Sequence, residues 1–198
     1  MYKYPVITDE EHIKNKQIDY RYYLVFLRST YAEESSANYR LLNVSVFFDE
    51  EEVLESIKKI NIKKETYDKG IKKFLKTDLI DMKNNEVLVK VKDDDNSFYQ
   101  LLTMAEIDKL LYLSSNEIKI YLLIKCLTQY SKNEYKEIKL KLIAEKMGMS
   151  LENSKTIAKS IKKLEKYGLI NYYINKSKRL IDNKLIKIDK YFIKIKRN

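Results

Sequence analysis

Lysines on one face of a predicted helix are the residues of this 198-residue chain best placed to do chemistry. Over residues 151–167, the apolar positions Ile157, Ile161 and Leu164 recur at the spacing of a single helix face. The opposite face is predicted to carry Asn153, Lys155, Thr156, Lys159, Ser160, Lys162 and Lys163. Amino groups in such a row suit phosphates and guanine, whereas an asparagine amide pairs with adenine. The row favours binding to a nucleic acid, although lysines on a helix also serve simply to solvate it.

Residues that usually carry catalysis or bind metals are scarce. His12 is the only histidine and Cys126 the only cysteine, so no zinc site and no internal disulfide is expected. Cys126 falls in an apolar helical run, where a small buried side chain is the expected role. A metal site at Asp93–Asp95 is one reading of that run, and a solvated turn between two domains is the better one. We predict no enzyme activity, no catalytic residue, no metal and no cofactor.

The positive charge of the chain is concentrated in its second half. Residues 1–100 hold 17 Lys and Arg against 19 Asp and Glu, a net charge of −2. Residues 101–198 hold 22 against 10, a net charge of +12. Such asymmetry is typical of a chain in which one half meets nucleic acid and the other has a second task. We therefore expect double-stranded DNA to be the partner of the second half.

Two further features bear on the location of the chain and on its aromatic residues. No stretch approaches the roughly 20 apolar residues of a membrane span. The first residues, MYKYPVITDEEH, lack the apolar core of a signal peptide, so a cytoplasmic protein is expected. The seventeen tyrosines suggest stacking on single strands. Tyr172 and Tyr173, however, fall in a predicted strand, where half-buried packing is the commoner use.

An internal repeat relates the two halves. Residues 66–80, TYDKGIKKFLKTDLI, align without a gap on residues 156–170, TIAKSIKKLEKYGLI, at an offset of 90 (161 − 71). The shared apolar register and the common ending "LI" are stronger evidence than the matching lysines. Two copies are too few for a solenoid, so the repeat predicts two similar supersecondary units.

The second half reads as helix, strand, helix, turn, helix, strand and strand. Ser114 and Glu117 have the spacing of a capping box for a helix that continues to about residue 129. A short strand (135–140) and a helix closed by Gly148 follow, and Ser150 caps the helix 151–167, which Gly168 ends. The final strands, LINYYIN and KLIKI, are predicted to form a hairpin with its turn at KSKR, residues 176–179.

That order of elements is the order of a winged helix, a variant of the helix-turn-helix. The segment LIAEKMGMSLENSKTIAKSIKKLEKYGLI resembles the core of bacterial winged-helix proteins in Ala144, Gly148, Ser150, Leu164 and the final GLI. The resemblance covers residues 115 to about 190. It implies that the helix 151–167 enters the major groove with its first residues near base edges. It also implies that Lys176, Lys178 and Arg179 of the wing contact the backbone or a minor groove.

The first half follows the same order more loosely. It is predicted to contain helices at 19–34, 49–60 and 63–76, a strand at 43–48 and a hairpin around Asn84 and Asn85. In the helix 63–76, a second DNA contact is predicted at Lys69, Lys72 and Lys73. Glu65 and Asp68 stand near the base-facing end of that helix and would repel phosphates.

The sequence therefore predicts an α+β, mostly helical fold with two tandem winged helix-turn-helix domains. The predicted domains are 1–95, for dimerisation or partner binding, and 115–198, for DNA, joined by a linker 96–114 with a short helix starting near Thr103. This plan resembles replication initiators and replisome organisers of bacterial plasmids and phages, and implies a homodimer. A winged-helix transcriptional regulator is the alternative. A second alternative is an adaptor that recruits a helicase or a partition protein.

Overall fold

The computed structural model describes residues 3–30, 38–42, 50–83, 86–91, 99–129, 134–181 and 184–196. The chain divides into two compact units, residues 1–119 (unit 1) and 120–198 (unit 2). Both units combine α-helices with antiparallel sheets, and helix exceeds strand among the described residues. The chain is therefore of mixed α and β composition, as predicted. None of the described helices is long and apolar enough to cross a membrane.

Where the structure describes unit 1, it contains a three-stranded and a two-stranded antiparallel sheet. Its elements are β1 (Lys3–Ile7), α1 (Glu10–Lys14), α2 (Tyr20–Arg28), β2 (Tyr39–Leu41), α3 (Glu50–Ile60), α4 (Lys64–Phe74), β3 (Ile80–Lys83), β4 (Glu86–Lys90), β5 (Tyr99–Thr103) and α5 (Met104–Leu110). The sheets have the strand orders β2-β4-β3 and β1-β5. A further helix, α6 (Ser115–Thr128), includes the boundary between the two units.

Helix α2 forms the centre of the core of unit 1. Asp19 caps it, because its carboxylate accepts a hydrogen bond from the backbone N–H of Arg21 at 3.0 Å. The ring of Phe26 packs on that of Phe74 at 5.0 Å, which joins α2 to α4. The hydroxyl of Tyr23 donates to the carbonyl of Lys90 at 2.7 Å, which joins α2 to the sheet. Tyr23 thus serves as a core residue that keeps its hydroxyl hydrogen-bonded.

The described part of unit 2 contains three helical elements beyond α6 and one three-stranded sheet. They are β6 (Lys136–Ile138), α7 (Leu140–Lys146), a 3₁₀ turn (Leu151–Asn153), α8 (Ser154–Lys166), β7 (Ile170–Ile181) and β8 (Lys184–Ile195), and the strand order is β6-β8-β7. Gly148 and Gly168 have φ angles of 61° and 68°, the left-handed conformation that ends a helix at low cost in glycine. Both predicted glycine caps are confirmed.

The two units share one connectivity. Among the described residues of each, a helix, a strand, two helices and two strands follow one another, and the first of these strands pairs with the last. At the offset of 90 residues, Tyr67, Ile71, Phe74 and Leu79 of unit 1 correspond to Ile157, Ile161, Leu164 and Leu169 of unit 2. All eight side chains are buried. The apolar register of the repeat is therefore shared by the two cores.

Several boundaries differ from the sequence prediction. The turn of the last hairpin does not lie at 176–179, because β7 continues through these residues to Ile181 and pairs with β8 throughout. Residues 175–179, NKSKR, are all polar, and such an uninterrupted polar run resembles a turn in the sequence. Helix α2 ends at Arg28, and the first strand of the three-stranded sheet is Tyr39–Leu41, which pairs with β4. The strand predicted at 43–48 and the turn Asn84–Asn85 lie outside the described residues.

The segment predicted as a linker, 96–114, contributes structure to unit 1. Strand β5 pairs with β1 in an antiparallel register from Lys3 opposite Thr103 to Ile7 opposite Tyr99. Thr103 and Glu106 form the predicted capping box: the Glu106 carboxylate accepts from the Thr103 N–H at 2.8 Å. The Ser114–Glu117 capping pair is also present. This segment is therefore part of the first compact unit.

Candidate nucleic-acid interface

Four lysines form a straight row along α8, opposite its buried face. Lys155, Lys159, Lys162 and Lys166 are spaced by four, three and four residues, which keeps them on one line of a helix with 3.6 residues per turn. All four are exposed, whereas Ile157, Ile161 and Leu164 are completely buried on the other side. Among the described residues, none of the four makes an ion pair. We call them the lysine row.

The start of α8 is more tightly wound than predicted. Ser150 caps a 3₁₀ turn, with its hydroxyl accepting from the Glu152 N–H at 3.3 Å, and the α-helix begins only at Ser154. Asn153 occupies the N-cap position of α8, but its side chain makes no capping hydrogen bond and is half-buried. Thr156, in the first turn, is exposed. Lys163 is partly exposed beside the lysine row.

Ser160 lies on the buried face of α8, so the prediction that placed it on the exposed face was wrong. Its side chain is 5% exposed, and its hydroxyl donates to the carbonyl of Thr156 at 3.1 Å. Ser160 falls within the spacing of Ile157, Ile161 and Leu164, which explains its position. A side chain held in this way is not available to a groove of DNA.

The hairpin of β7 and β8 carries the basic residues predicted for the wing. Lys176 and Lys178 are exposed on β7, where they stand opposite Asp189 and Lys187 of β8. Side chains two residues apart share a face of a strand, so both pairs lie on one face of the hairpin. Arg179 lies in β7 opposite Ile186, and its side chain is outside the described part of the structure.

The pairing of Lys178 with Lys187 is electrostatically unfavourable. Like charges directly opposite each other on neighbouring strands destabilise a sheet, by up to about 1 kcal/mol. The exposure of both residues to solvent reduces this repulsion. A polyanion that binds between the two amino groups would remove it.

A groove lies between the helices of unit 2 and the hairpin. Its volume is about 840 Å³, and its lining includes Lys139, Lys141, Lys155, Ala158, Lys178 and Lys190. Lys155 from the lysine row and Lys178 from the hairpin therefore belong to one surface. Glu137 and Asp189 also line the groove, which reduces its positive charge locally.

The charge of the two units differs more strongly than that of the two halves. Residues 120–198 hold 20 Lys and Arg against 7 Asp and Glu, a net charge of +13. Residues 1–119 hold 19 against 22, a net charge of −3. A net charge of this size raises the rate at which a polyanion associates with unit 2.

Helix α4 of unit 1 presents a weaker version of the same surface. Lys69, Lys72 and Lys73 are all exposed, as a second DNA contact requires. Glu65 and Asp68 are exposed in the first half of the same helix, where α8 carries Lys155 and Ala158 at the offset of 90. The carboxylates make the base-facing end of α4 acidic.

Of the few residues that usually carry catalysis or bind metals, His12 is held in structural contacts. The buried imidazole of His12 lies between Asp9, at 2.7 Å from Nδ1, and Asp78, at 3.1 Å from Nε2, which ties α1 to the segment after α4. Burial raises the pKa of the Cys126 thiol, although the residue is only half-buried. No cluster of three or more metal-ligating side chains occurs among the described residues. Asp93–Asp95 lies outside them.

Sequence reasoning missed one residue of this surface. Lys166, which completes the lysine row, follows from the helical spacing 155, 159, 162, 166. Lys187 is found only from the strand register, because its relevance comes from Lys178 across the hairpin.

No family model, no curated protein and no solved structure matches this chain. The assignment of a function therefore depends on the arrangement of its own side chains.

Proposed function

We propose that this chain is a sequence-specific duplex DNA-binding protein built of two tandem winged helices. The observation that carries the proposal is the lysine row of α8, which is exposed and without ion-pair partners among the described residues. Like charges at the spacing Lys155–Lys159 and Lys162–Lys166 cost a helix a few tenths of a kcal/mol per pair. Phosphates of a duplex would offset this repulsion, because they attract the same lysines.

The shared connectivity supports the winged-helix assignment. In unit 2, α7 and α8 form the helix pair and the hairpin β7–β8 forms the wing. A helix with its side chains is about 10–12 Å across, and the major groove is about 12 Å wide, so α8 fits it lengthwise. With α8 in the groove, Asn153, Lys155 and Thr156 lie at the end that approaches base edges.

The remaining basic residues hold the backbone. Lys159, Lys162 and Lys163 along α8 suit phosphates on either side of the groove. Lys178 and Lys155 line one groove of the protein, so the hairpin and the helix contact the same stretch of duplex. Lys176, Lys178 and Arg179 are the wing contacts. The exposed Lys69, Lys72 and Lys73 of unit 1 give a second, weaker contact.

A matched pair of charge reversals tests this assignment. Lys159 and Lys69 occupy equivalent exposed positions of α8 and α4 at the offset of 90 residues. Binding of the full-length protein to a labelled duplex is measured by fluorescence anisotropy at low salt. We expect Lys159→Glu to weaken binding at least tenfold and Lys69→Glu to weaken it less than threefold. Equal effects of the two changes would refute the assignment of the main interface to α8.

The process served by this binding follows from the resemblance of the sequence. We propose a role as a plasmid or phage replication initiator or replisome organiser, with unit 1 in homodimerisation or in recruiting a replication or partition protein. A transcriptional regulator would use the same interface. Selection of bound duplexes from a random library gives the target sequence. Iterated copies of that target beside the gene support initiation, whereas a single copy at a promoter supports regulation.

A further inference from the structure

The outer face of the hairpin in unit 2 has a regular pattern of its own. Across β7 and β8, Asn171 stands opposite Lys194, Tyr173 opposite Phe192 and Asn175 opposite Lys190. These six residues alternate with Ile170, Tyr191 and Ile193, which are buried against the core. An aromatic pair is therefore flanked on both sides by a lysine and an asparagine, on the solvent side of the sheet.

A third ring extends the aromatic pair into a row. The rings of Tyr173 and Phe192 are parallel, with centroids 4.9 Å apart, and Tyr135 meets Tyr173 edge to face at 5.0 Å. Tyr135 and Tyr173 are 43% and 49% exposed, unlike the buried tyrosines of unit 1. The amino group of Lys194 lies 6.0 Å from the centre of the Tyr135 ring. We call Tyr135, Tyr173 and Phe192 the aromatic platform.

We propose that the aromatic platform binds single-stranded DNA. Unpaired bases stack on exposed aromatic rings regardless of sequence, and nearby lysines attract the phosphates between them. The platform combines both elements, because Lys190 and Lys194 stand on either side of Phe192 along β8. Asn171 and Asn175 add amides that hydrogen-bond base edges or phosphates.

The charge and the position of the platform favour a nucleic acid over a protein partner. A protein-binding aromatic patch is typically depleted of lysine at its centre, whereas here lysines adjoin the rings. Lys178, proposed above to contact duplex DNA, and its partner Lys187 lie on the opposite face of the same hairpin, since strand residues alternate between faces. Lys190 also lines the groove assigned to the duplex, so the two proposed surfaces adjoin at this lysine. The aromatic rings themselves are not part of that groove, and this inference does not depend on the duplex proposal.

One carboxylate regulates the charge of the platform. Glu137 of β6 stands beside Phe192 and pairs with the amino group of Lys190 at 3.0 Å. The carboxylate competes with phosphate for that lysine. Its replacement by an uncharged residue of similar shape, Glu137→Gln, is expected to strengthen single-strand binding about two- to threefold.

The test uses the full-length protein and a labelled oligothymidylate of about 15 nucleotides, the upper range of single-strand site sizes. Loss of stacking is worth about 1–3 kcal/mol per base, so Tyr173→Ser should weaken binding by about 5- to 150-fold. Tyr173→Phe keeps the ring and should bind within twofold of the parent. Duplex affinity should stay within twofold in both variants, which shows that the fold is intact.

The duplex interface provides the reciprocal control. Lys159→Glu should weaken duplex binding and leave oligothymidylate binding within twofold. The duplex proposal and the single-strand proposal are therefore tested independently. No binding of oligothymidylate by the parent at low salt would overturn the inference. Tighter binding of oligouridylate than of oligothymidylate would overturn the assignment to DNA. A protein dimer in light scattering that Tyr173→Ser dissociates, without loss of oligothymidylate binding, would show that the platform is a protein contact.

Discussion

At the scale of single residues, Gly70 is required for space. It lies in α4 and corresponds to Ser160 of α8 at the offset of 90 residues. A Cβ atom at this position would collide with the ring and hydroxyl of Tyr22. That hydroxyl donates to the carbonyl of Thr66 at 3.2 Å, so Tyr22 crosses α4 directly over the glycine. The small residue lets a core tyrosine reach the backbone of the helix.

Gly70→Ala is therefore expected to destabilise the protein. In an open helix the same change stabilises by about 1 kcal/mol, because alanine favours the helix more than glycine does. Here the collision with Tyr22 should lower the free energy of unfolding by about 1–3 kcal/mol. Urea denaturation of the full-length protein measures it. Ser160→Ala, with no such collision, is the control and should cost about 1 kcal/mol or less. A Gly70→Ala variant as stable as the parent would contradict the account.

Lys119 makes the stability of unit 1 depend on pH. It is 4% exposed, its amino group donates to the carbonyl of Asn15 at 2.8 Å, and burial lowers its pKa to about 8 from 10.5. Between these values the unfolded chain binds a proton that the folded chain does not, so this group makes stability rise with pH. Above about pH 10, Tyr20 has the opposite effect. Burial raises the pKa of its hydroxyl, so the folded chain keeps a proton that the unfolded chain loses, and the free energy of unfolding falls as the pH rises.

Replacing Lys119 by methionine should remove the rising part of this profile. We expect the free energy of unfolding of the parent to rise relative to that of Lys119→Met between about pH 8 and pH 10. Urea denaturation at half-unit steps of pH measures the difference. The overall stability of the variant is not the readout, because the change also removes a hydrogen bond. Parallel profiles over this range would show that Lys119 is protonated in both states.

At the scale of elements, the hairpin of unit 2 contains a pair of like charges that lowers its stability. Lys178 and Lys187 repel each other across β7 and β8. Lys187→Glu replaces this repulsion by an attraction, so it should stabilise the protein by about 0.2–1 kcal/mol. The same change should weaken duplex binding at least fivefold, because a carboxylate then faces the phosphates. Thermal unfolding and anisotropy measure the two effects. A stabilised variant with undiminished affinity would show that this face of the hairpin does not meet DNA.

Elements set by local sequence were predictable, and elements set by distant pairing were not. The glycine caps at Gly148 and Gly168 and the capping box of Thr103 depend on neighbours within a few residues, and all three are present. The β1–β5 sheet joins strands that are almost 100 residues apart, and no local pattern indicates it. The false turn at residues 176–179 has a similar cause, because the pairing of a hairpin and not its composition keeps it extended.

The candidate site shows the same division between what the sequence reveals and what it does not. The exposed lysines of α8 follow from helical spacing, and Lys155, Lys159 and Lys162 are exposed as predicted. Ser160 shows that a polar residue type does not by itself predict exposure. Its hydroxyl donates a hydrogen bond to the carbonyl four residues earlier, which allows the side chain to be buried. The relation between Lys178 and Lys187 needs the strand register.

At the scale of the whole molecule, two units of one connectivity have opposite charge. Unit 1 has a net charge of −3 (19 against 22) and unit 2 has +13 (20 against 7). Because the cores share their apolar register, the difference lies on the surfaces. We therefore propose a division of labour, with duplex binding in unit 2 and association with a second copy or a partner in unit 1.

The salt dependence of duplex binding by the full-length protein tests the central claim most directly. If α8 and the hairpin together neutralise about six phosphates, the logarithm of the binding constant should fall against the logarithm of the salt concentration with a slope near −5. Removing one phosphate contact by Lys162→Ala should reduce the magnitude of the slope by about 1, whereas Lys72→Ala, at the equivalent position of the more weakly binding α4, should reduce it by clearly less. A slope near zero, or no measurable binding at low salt, would contradict the account.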